Sequence, residues 1–142
     1  MILIDVNVLI YALRKDAKDH VAYRKWLEEA INSDEPYGLT SVVLTGFLRV
    51  ITHPRVYKPP TPVDTAWAFV DMLLAVPNCV PIAPGARHWH IFKHLCEESE
   101  VVGPLFSDAY LAAMAIENGA ELITTDRDFA RFVGLRWRHP LR

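Results

Sequence analysis

Asp5 closes a short apolar run, Met1-Ile2-Leu3-Ile4, whose isoleucines suit a buried strand. Late in the chain, Leu122-Ile123-Thr124-Thr125 repeats that pattern and ends in Asp126, with Asp128 two residues further on. Asp108 follows Ser107 in the first turn of an expected helix, a place that the helix dipole also favours for any acid. In an open parallel sheet, ligands gather beyond the carboxyl ends of the strands, so two strands that each end in Asp mark one rim. Carboxylates packed closely repel one another and raise each other's pKa, an arrangement that a hard cation relieves. With no His or Cys at these positions, the oxygen-only set suits Mg²⁺ or Mn²⁺ rather than zinc. Asp5, Asp108 and Asp126 would then bind one or two such ions. A cation held this way polarises a phosphate, lowers the pKa of water and steadies a leaving oxygen, which is phosphoryl chemistry. Asn7 and the hydroxyls of Ser107, Thr124 and Thr125 are candidates to orient ligands or water, Thr125 foremost.

The elements that must position these residues alternate in kind. After the first strand, Val8 to Leu13 has helical spacing, and a second helix runs from about His20 to Asn32. Tyr37 to Thr40 reads as a strand, and Thr40-Ser41 caps a helix of about Val42 to Thr52 that is apolar on most sides and expected to be largely buried. His53-Pro54 stops it. Thr61-Pro62 opens the next helix, with Trp67, Val70, Leu73 and Leu74 expected inward. Cys79 to Ile82 is a third strand, followed by a helix from about Ala86 to Glu98 and a loop with Gly103-Pro104. Ser107 is the expected cap of a helix over Asp108 to Asn118, closed by Gly119. A fourth strand ends at Asp126, and a last one lies near Leu135 to Trp137. Strands alternating with helices predict an α/β fold: a mainly parallel sheet with helices on both faces, a three-layer α/β/α sandwich. The strand order 3-2-1-4-5 places the ends of the first and fourth strands side by side.

At 142 residues, 51% of them apolar, the chain reads as a single domain, residues 1–142, able to bury its own core. It has no run long enough for a membrane span and no basic leader ahead of its first apolar run, so a cytoplasmic protein is expected. Cys79 and Cys96 lack metal-ligand spacing and read as reduced core residues. The formal net charge of -2 argues against binding nucleic acid by bulk charge, although the segment from Phe129 onward carries Arg131, Arg136, Arg138 and Arg142 and no acid. Trp26, Trp67, Trp89 and Trp137 sit at core-compatible spacing and are not read as base-stacking platforms. His90 and His94 are four apart on a helix but lack a third ligand. An aspartyl-phosphate enzyme of the haloacid-dehalogenase kind would want a second Asp where Asn7 stands.

Three segments together carry a resemblance: Ile4-Asp5-Val6-Asn7-Val8-Leu9-Ile10, Ser107-Asp108-Ala109-Tyr110-Leu111-Ala112-Ala113, and Thr124-Thr125-Asp126-Arg127-Asp128-Phe129. In order and spacing they resemble the PIN-domain ribonucleases, and among these the chain is most similar to VapC-type toxins of bacterial toxin–antitoxin pairs. The resemblance covers essentially the whole chain. It implies Mg²⁺-dependent endonucleolytic cleavage of a structured RNA such as tRNA or rRNA. It also implies a homodimer, and inhibition by a small VapB-type antitoxin whose tail occupies the active-site groove. Asp5, Asp108 and Asp126 match three of the family's acidic positions, and Asp128 is a candidate to assist as a fourth metal ligand.

One departure stands out. The family places a Glu on the helix after the second strand, and Gly46 stands there in this chain. Losing one carboxylate weakens metal binding or leaves a single ion with more waters. It also leaves open a second reading, a catalytically weak PIN-like module that binds RNA or a protein. Val42, Gly46, Arg49 and His53 form one stripe of that helix. Arg49 therefore either faces the acids and contacts a phosphate, or is an ordinary surface arginine.

Overall fold

The computed structural model describes residues 1–142. Five strands form one sheet: β1 (Ile2–Ile4), β2 (Tyr37–Thr40), β3 (Cys79–Ile82), β4 (Glu121–Ile123) and β5 (Trp137–Arg138). Their order is β3-β2-β1-β4-β5, and every pairing is parallel, as the alternating pattern predicts. Six helices connect them: α1 (Val6–Leu13), α2 (His20–Ile31), α3 (Ser41–Ile51), α4 (Val63–Ala75), α5 (His88–Glu98) and α6 (Leu105–Glu117). From β1 to β3 the chain moves one way across the sheet, and it then returns past β1 to β4. Right-handed crossovers therefore put α1 to α4 on one face and α5 and α6 on the other, which is the three-layer α/β/α arrangement. In keeping with this, α1 packs on α2 and α3, while α5 packs on α6. The reversal falls between β1 and β4, where a crevice opens at the strands' carboxyl ends. No helix is long and apolar enough to cross a membrane.

Both faces of the central strands are covered, so Leu3, Ile4, Leu122 and Ile123 are wholly buried without any alternation of polar residues. Thr40 caps α3 as expected, its hydroxyl accepting the Val43 N–H at 3.0 Å. Gly119, at φ +61°, turns the chain out of α6, a left-handed conformation that favours glycine.

Several details depart from the expected pattern. The helix α3 buries one stripe, Val43, Phe47 and Ile51, rather than most of its surface. On α4 the inward residues are Ala66, Phe69, Val70 and Leu73, while Trp67 and Leu74 lie outside. The α4 helix starts at Val63 with Pro62 as its cap residue, and Thr61 is buried beside Arg14. Helix α6 begins at Leu105, two residues before Ser107, which is therefore inside the helix and caps nothing. Cys79 and Cys96 are free thiols, half-buried against the core rather than within it.

Candidate active site

Asp5 is the last residue before α1 and is 8% exposed. Its backbone N–H still donates to Ile123 O of β4 at 3.0 Å, so the strand pairing runs right up to the carboxylate. One oxygen, Oδ1, accepts the Val6 N–H at 2.7 Å and caps α1. The other, Oδ2, accepts the Thr124 hydroxyl at 2.7 Å and the Asn7 side-chain amide at 3.1 Å. Burial raises the Asp5 pKa, and these three donors oppose the rise.

Thr124 is fully buried and ties the two strand ends together. While its hydroxyl donates to Asp5, its oxygen accepts the Asp126 N–H at 3.1 Å and the Asn7 amide at 3.3 Å. Asn7 Oδ1 in turn accepts the Thr125 N–H at 3.2 Å. Of the candidate hydroxyls the sequence puts Thr125 foremost, yet the one bonded to Asp5 is that of Thr124, also among them. The parallel register explains it. Ile4 pairs with Ile123, so the next residues level with each other are Asp5 and Thr124, on the same face, and Thr125 alternates to the other. Thr125 contributes its backbone N–H instead.

Asp126 caps the short 3₁₀ helix Arg127–Arg131, its Oδ1 accepting the Asp128 N–H at 2.8 Å. Asp128 is exposed, with Oδ1 3.6 Å from the Arg131 guanidinium. Asp108 projects from the first turn of α6, half-buried, and its pKa is pushed up to about 6. Desolvation is the largest cause, followed by repulsion from Asp126, then Asp5, then Asp128; Arg131 opposes them. All four acids therefore act on one small region, although three come from strand ends or the turn after them and the fourth from the opposite helical layer.

A cavity of about 170 Å³ lies between these layers, lined by Asp5, Ser107 and Asp108 with Gly46 and Arg49 of α3. Val6, Val42, Val43 and Leu111 give it apolar walls. Arg49 thus faces the acids. Ser107 is exposed at the cavity's edge and makes no side-chain hydrogen bond that would orient a neighbour. A Cβ at Gly46 would sit 3.2 Å from Val6 Cγ2, so the start of α1 and the middle of α3 approach closely there. That close approach was not visible in the sequence; Val6 simply follows the aspartate.

The donor set suits a hard dication in chemistry and charge. It is all oxygen, burial first and the neighbouring acids second raise the Asp108 pKa to about 6, and no Cys or His competes. As the side chains stand, no three acids converge tightly enough to cage an ion. Mg²⁺ keeps several of its waters and is usually held by one or two carboxylates, so an open set of this kind fits it. Asp5, Asp108 and Asp126 would hold it, with Asp128 at the outer edge.

Known proteins match this chain in sequence and in fold. The PIN-domain family model matches residues 2–135. The chain is 50% identical over 141 residues to "Ribonuclease VapC43" of Mycobacterium tuberculosis, covering 99% of this chain and 96% of that protein. It is 39% identical to "Ribonuclease VapC25" of the same organism, covering 99% of both. Among solved structures, the VapBC2 complex of Rickettsia felis, bound to a DNA fragment from its promoter, superposes with a TM-score of 0.73 at 21% identity, covering 98% of each chain. The VapC20 toxin of Mycobacterium tuberculosis, described as cleaving the sarcin–ricin loop, superposes at 0.66 and 15% identity, covering 96% and 99%. At such identities the structural likeness speaks to the fold.

Proposed function

The chain belongs to the PIN-domain family, as a VapC-type ribonuclease toxin of a toxin–antitoxin system, and from that premise we propose that it cuts RNA endonucleolytically with Mg²⁺, or Mn²⁺, held by Asp5, Asp108 and Asp126. We further propose that the substrate is a structured RNA such as tRNA or rRNA, that the toxin works as a homodimer in the cytoplasm, and that a VapB-type antitoxin neutralises it. The observation that carries this reading is the shared cavity. Asp5 and Asp108, a hundred residues apart in sequence, line it together, and Asp126 stands near enough to repel both.

When bound, the ion supplies a Lewis acid for the phosphodiester and lowers the pKa of an attacking water. The chain's own residues prepare for it. Thr124 and Asn7 fix the rotamer of Asp5, so its carboxylate needs no rearrangement at the moment of reaction. Asp108, with its pKa of about 6, is mainly ionised at neutral pH, and a dication beside it would hold it so. The valines and Leu111 line part of the cavity with apolar surface, which lowers the local dielectric and strengthens charge interactions there.

The test is cleavage of a bulk tRNA preparation by the purified chain with and without Mg²⁺. Asp5→Ala or Asp108→Asn should each lower the rate by roughly a thousandfold, since losing the cation forfeits several kcal/mol of transition-state stabilisation. Cutting that survives both changes would place the chemistry elsewhere. Gly46 favours a second reading, a weakly catalytic module that binds RNA or a protein. RNA binding without any cleavage in Mg²⁺ or Mn²⁺ would select it.

A further inference from the structure

Arg49 is a cation lining the acid cavity, and it has no acid of its own. Arg14, Arg24, Arg131 and Arg138 are paired with carboxylates, and Arg87 and Arg136 donate to backbone carbonyls. Arg49 makes no such bond, although Asp5 and Asp108 line the same 170 Å³ space. No ion pair joins it to either acid, although it lines their cavity. An exposed arginine with no bonded partner in that position is free to take an anion. Three residues earlier on the same wall, Gly46 presents no side chain at all.

Charge arithmetic says what that wall lacks. Asp5, Asp108 and Asp126 carry three negative charges when ionised, and one dication leaves a net of minus one before an RNA phosphate arrives with another. A fourth carboxylate that recruited a second dication would add one positive charge to such a site. A guanidinium adds the same single charge without an ion. It also presents a planar pair of N–H groups that match two phosphate oxygens.

We propose that Arg49 grips the RNA phosphodiester that enters the acid cavity, supplying from α3 the positive charge that Gly46 leaves that helix unable to recruit. The proposal rests on the ribonuclease reading above. Arg49 touches substrate in this scheme and holds no metal ligand in place, so its contribution shows in RNA binding even without metal.

The test uses the full chain in EDTA, with fluorescence anisotropy of a labelled oligouridylate measured across a KCl series. Each phosphate contact on single-stranded nucleic acid contributes about 0.7 to the slope of log affinity against log salt. Arg49→Ala should lower that slope by about 0.7 and weaken binding at the lowest salt by roughly tenfold, the worth of one charge-assisted contact. Arg49→Lys should restore the slope but only part of the affinity, because lysine offers a point charge in place of a fork. Arg55→Ala, which removes an equal charge just beyond α3 and outside the cavity, should change neither. Unaltered thermal melting would confirm that all three variants fold. A slope for Arg49→Ala equal to that of the parent, or an equal loss in Arg55→Ala, overturns the proposal. If Asp108→Asn is inactive while Arg49→Ala binds and cuts like the parent, the proposal alone falls. If the parent neither binds nor cuts RNA, the ribonuclease reading falls with it.

Discussion

On the β1–β4 side of the cavity the polar groups around Asp5 are tied to one another. Asp5 accepts from Val6, Asn7 and Thr124, Thr124 accepts from Asp126 and Asn7, and Asn7 accepts from Thr125. On the α3 side, Gly46 offers no side chain and Arg49 bonds to nothing. The first wall is set by sheet register, in which a one-residue slip would turn each side chain to the other face. The second is a helix face whose buried residues are Val43, Phe47 and Ile51, of which Val43 also reaches the cavity. Preorganisation therefore sits with the strands, and the positive charge on the helix side stays free for an incoming ligand. A site divided this way can keep its acids in place while the opposite face changes.

Breaking the bonded wall should cost the most. Thr124→Val keeps the shape of the side chain but removes the donor to Asp5 Oδ2 and the acceptor for the Asp126 N–H, both at a residue with no exposure. Loss of an orienting partner beside a metal ligand typically costs tenfold to a hundredfold in affinity or rate, and RNA cleavage should fall by about that much. Denaturant unfolding should show a loss of roughly 1–3 kcal/mol from the polar groups left unsatisfied. Thr124→Ser, which keeps the hydroxyl, should retain most of both. Equal damage from Ser and Val would mean that packing of the methyl, not the hydrogen bonds, is what matters.

A change on the bare wall should be milder. Gly46→Glu puts a Cβ 3.2 Å from Val6 Cγ2, which asks for a small shift, while replacing glycine inside a helix returns roughly 0.5–1 kcal/mol. Net stability should move by no more than about 1 kcal/mol. Mn²⁺ affinity, read by calorimetric titration, should rise several-fold as a further carboxylate joins the cavity. A fall in affinity would show that this wall lies out of the ion's reach and that the two sides do not share one site.

The sheet order and the three strand-end and helix-turn acids were legible in the sequence because they depend on local patterns: apolar runs, their terminal Asp, and the alternation of strand with helix. What was hidden depends on register and on packing between distant segments. Thr124 and Thr125 are equivalent by composition, and only the pairing of Ile4 with Ile123 decides between them. Ser107 looked like a cap, but Pro104 has helical dihedrals and accepts the Ser107 N–H at 3.2 Å, and α6 starts at Leu105 instead of Asp108. Trp67 and Trp89 have core-like spacing yet are 51% and 68% exposed. On α5 only His88 and Leu95 are buried, and Trp89 stacks edge-on with Phe92 at the surface. Helical periodicity tells which residues share a face, not which face meets the sheet.

The central claim is that acids remote in sequence hold one divalent cation between them, and Mn²⁺ titration of the purified chain against pH tests it most directly. Asp108 titrates near pH 6, above its ordinary 3.8. In the metal-free protein the stability associated with that raised pKa is therefore full below about pH 4 and lost as pH rises through 6. Mn²⁺ needs the ionised carboxylate, so its binding runs the other way. The account predicts affinity that strengthens at least tenfold between pH 5 and pH 7, levels off above that, and is largely abolished by Asp5→Asn and by Asp108→Asn. Affinity that is flat across this range, or unchanged in both variants, would contradict it.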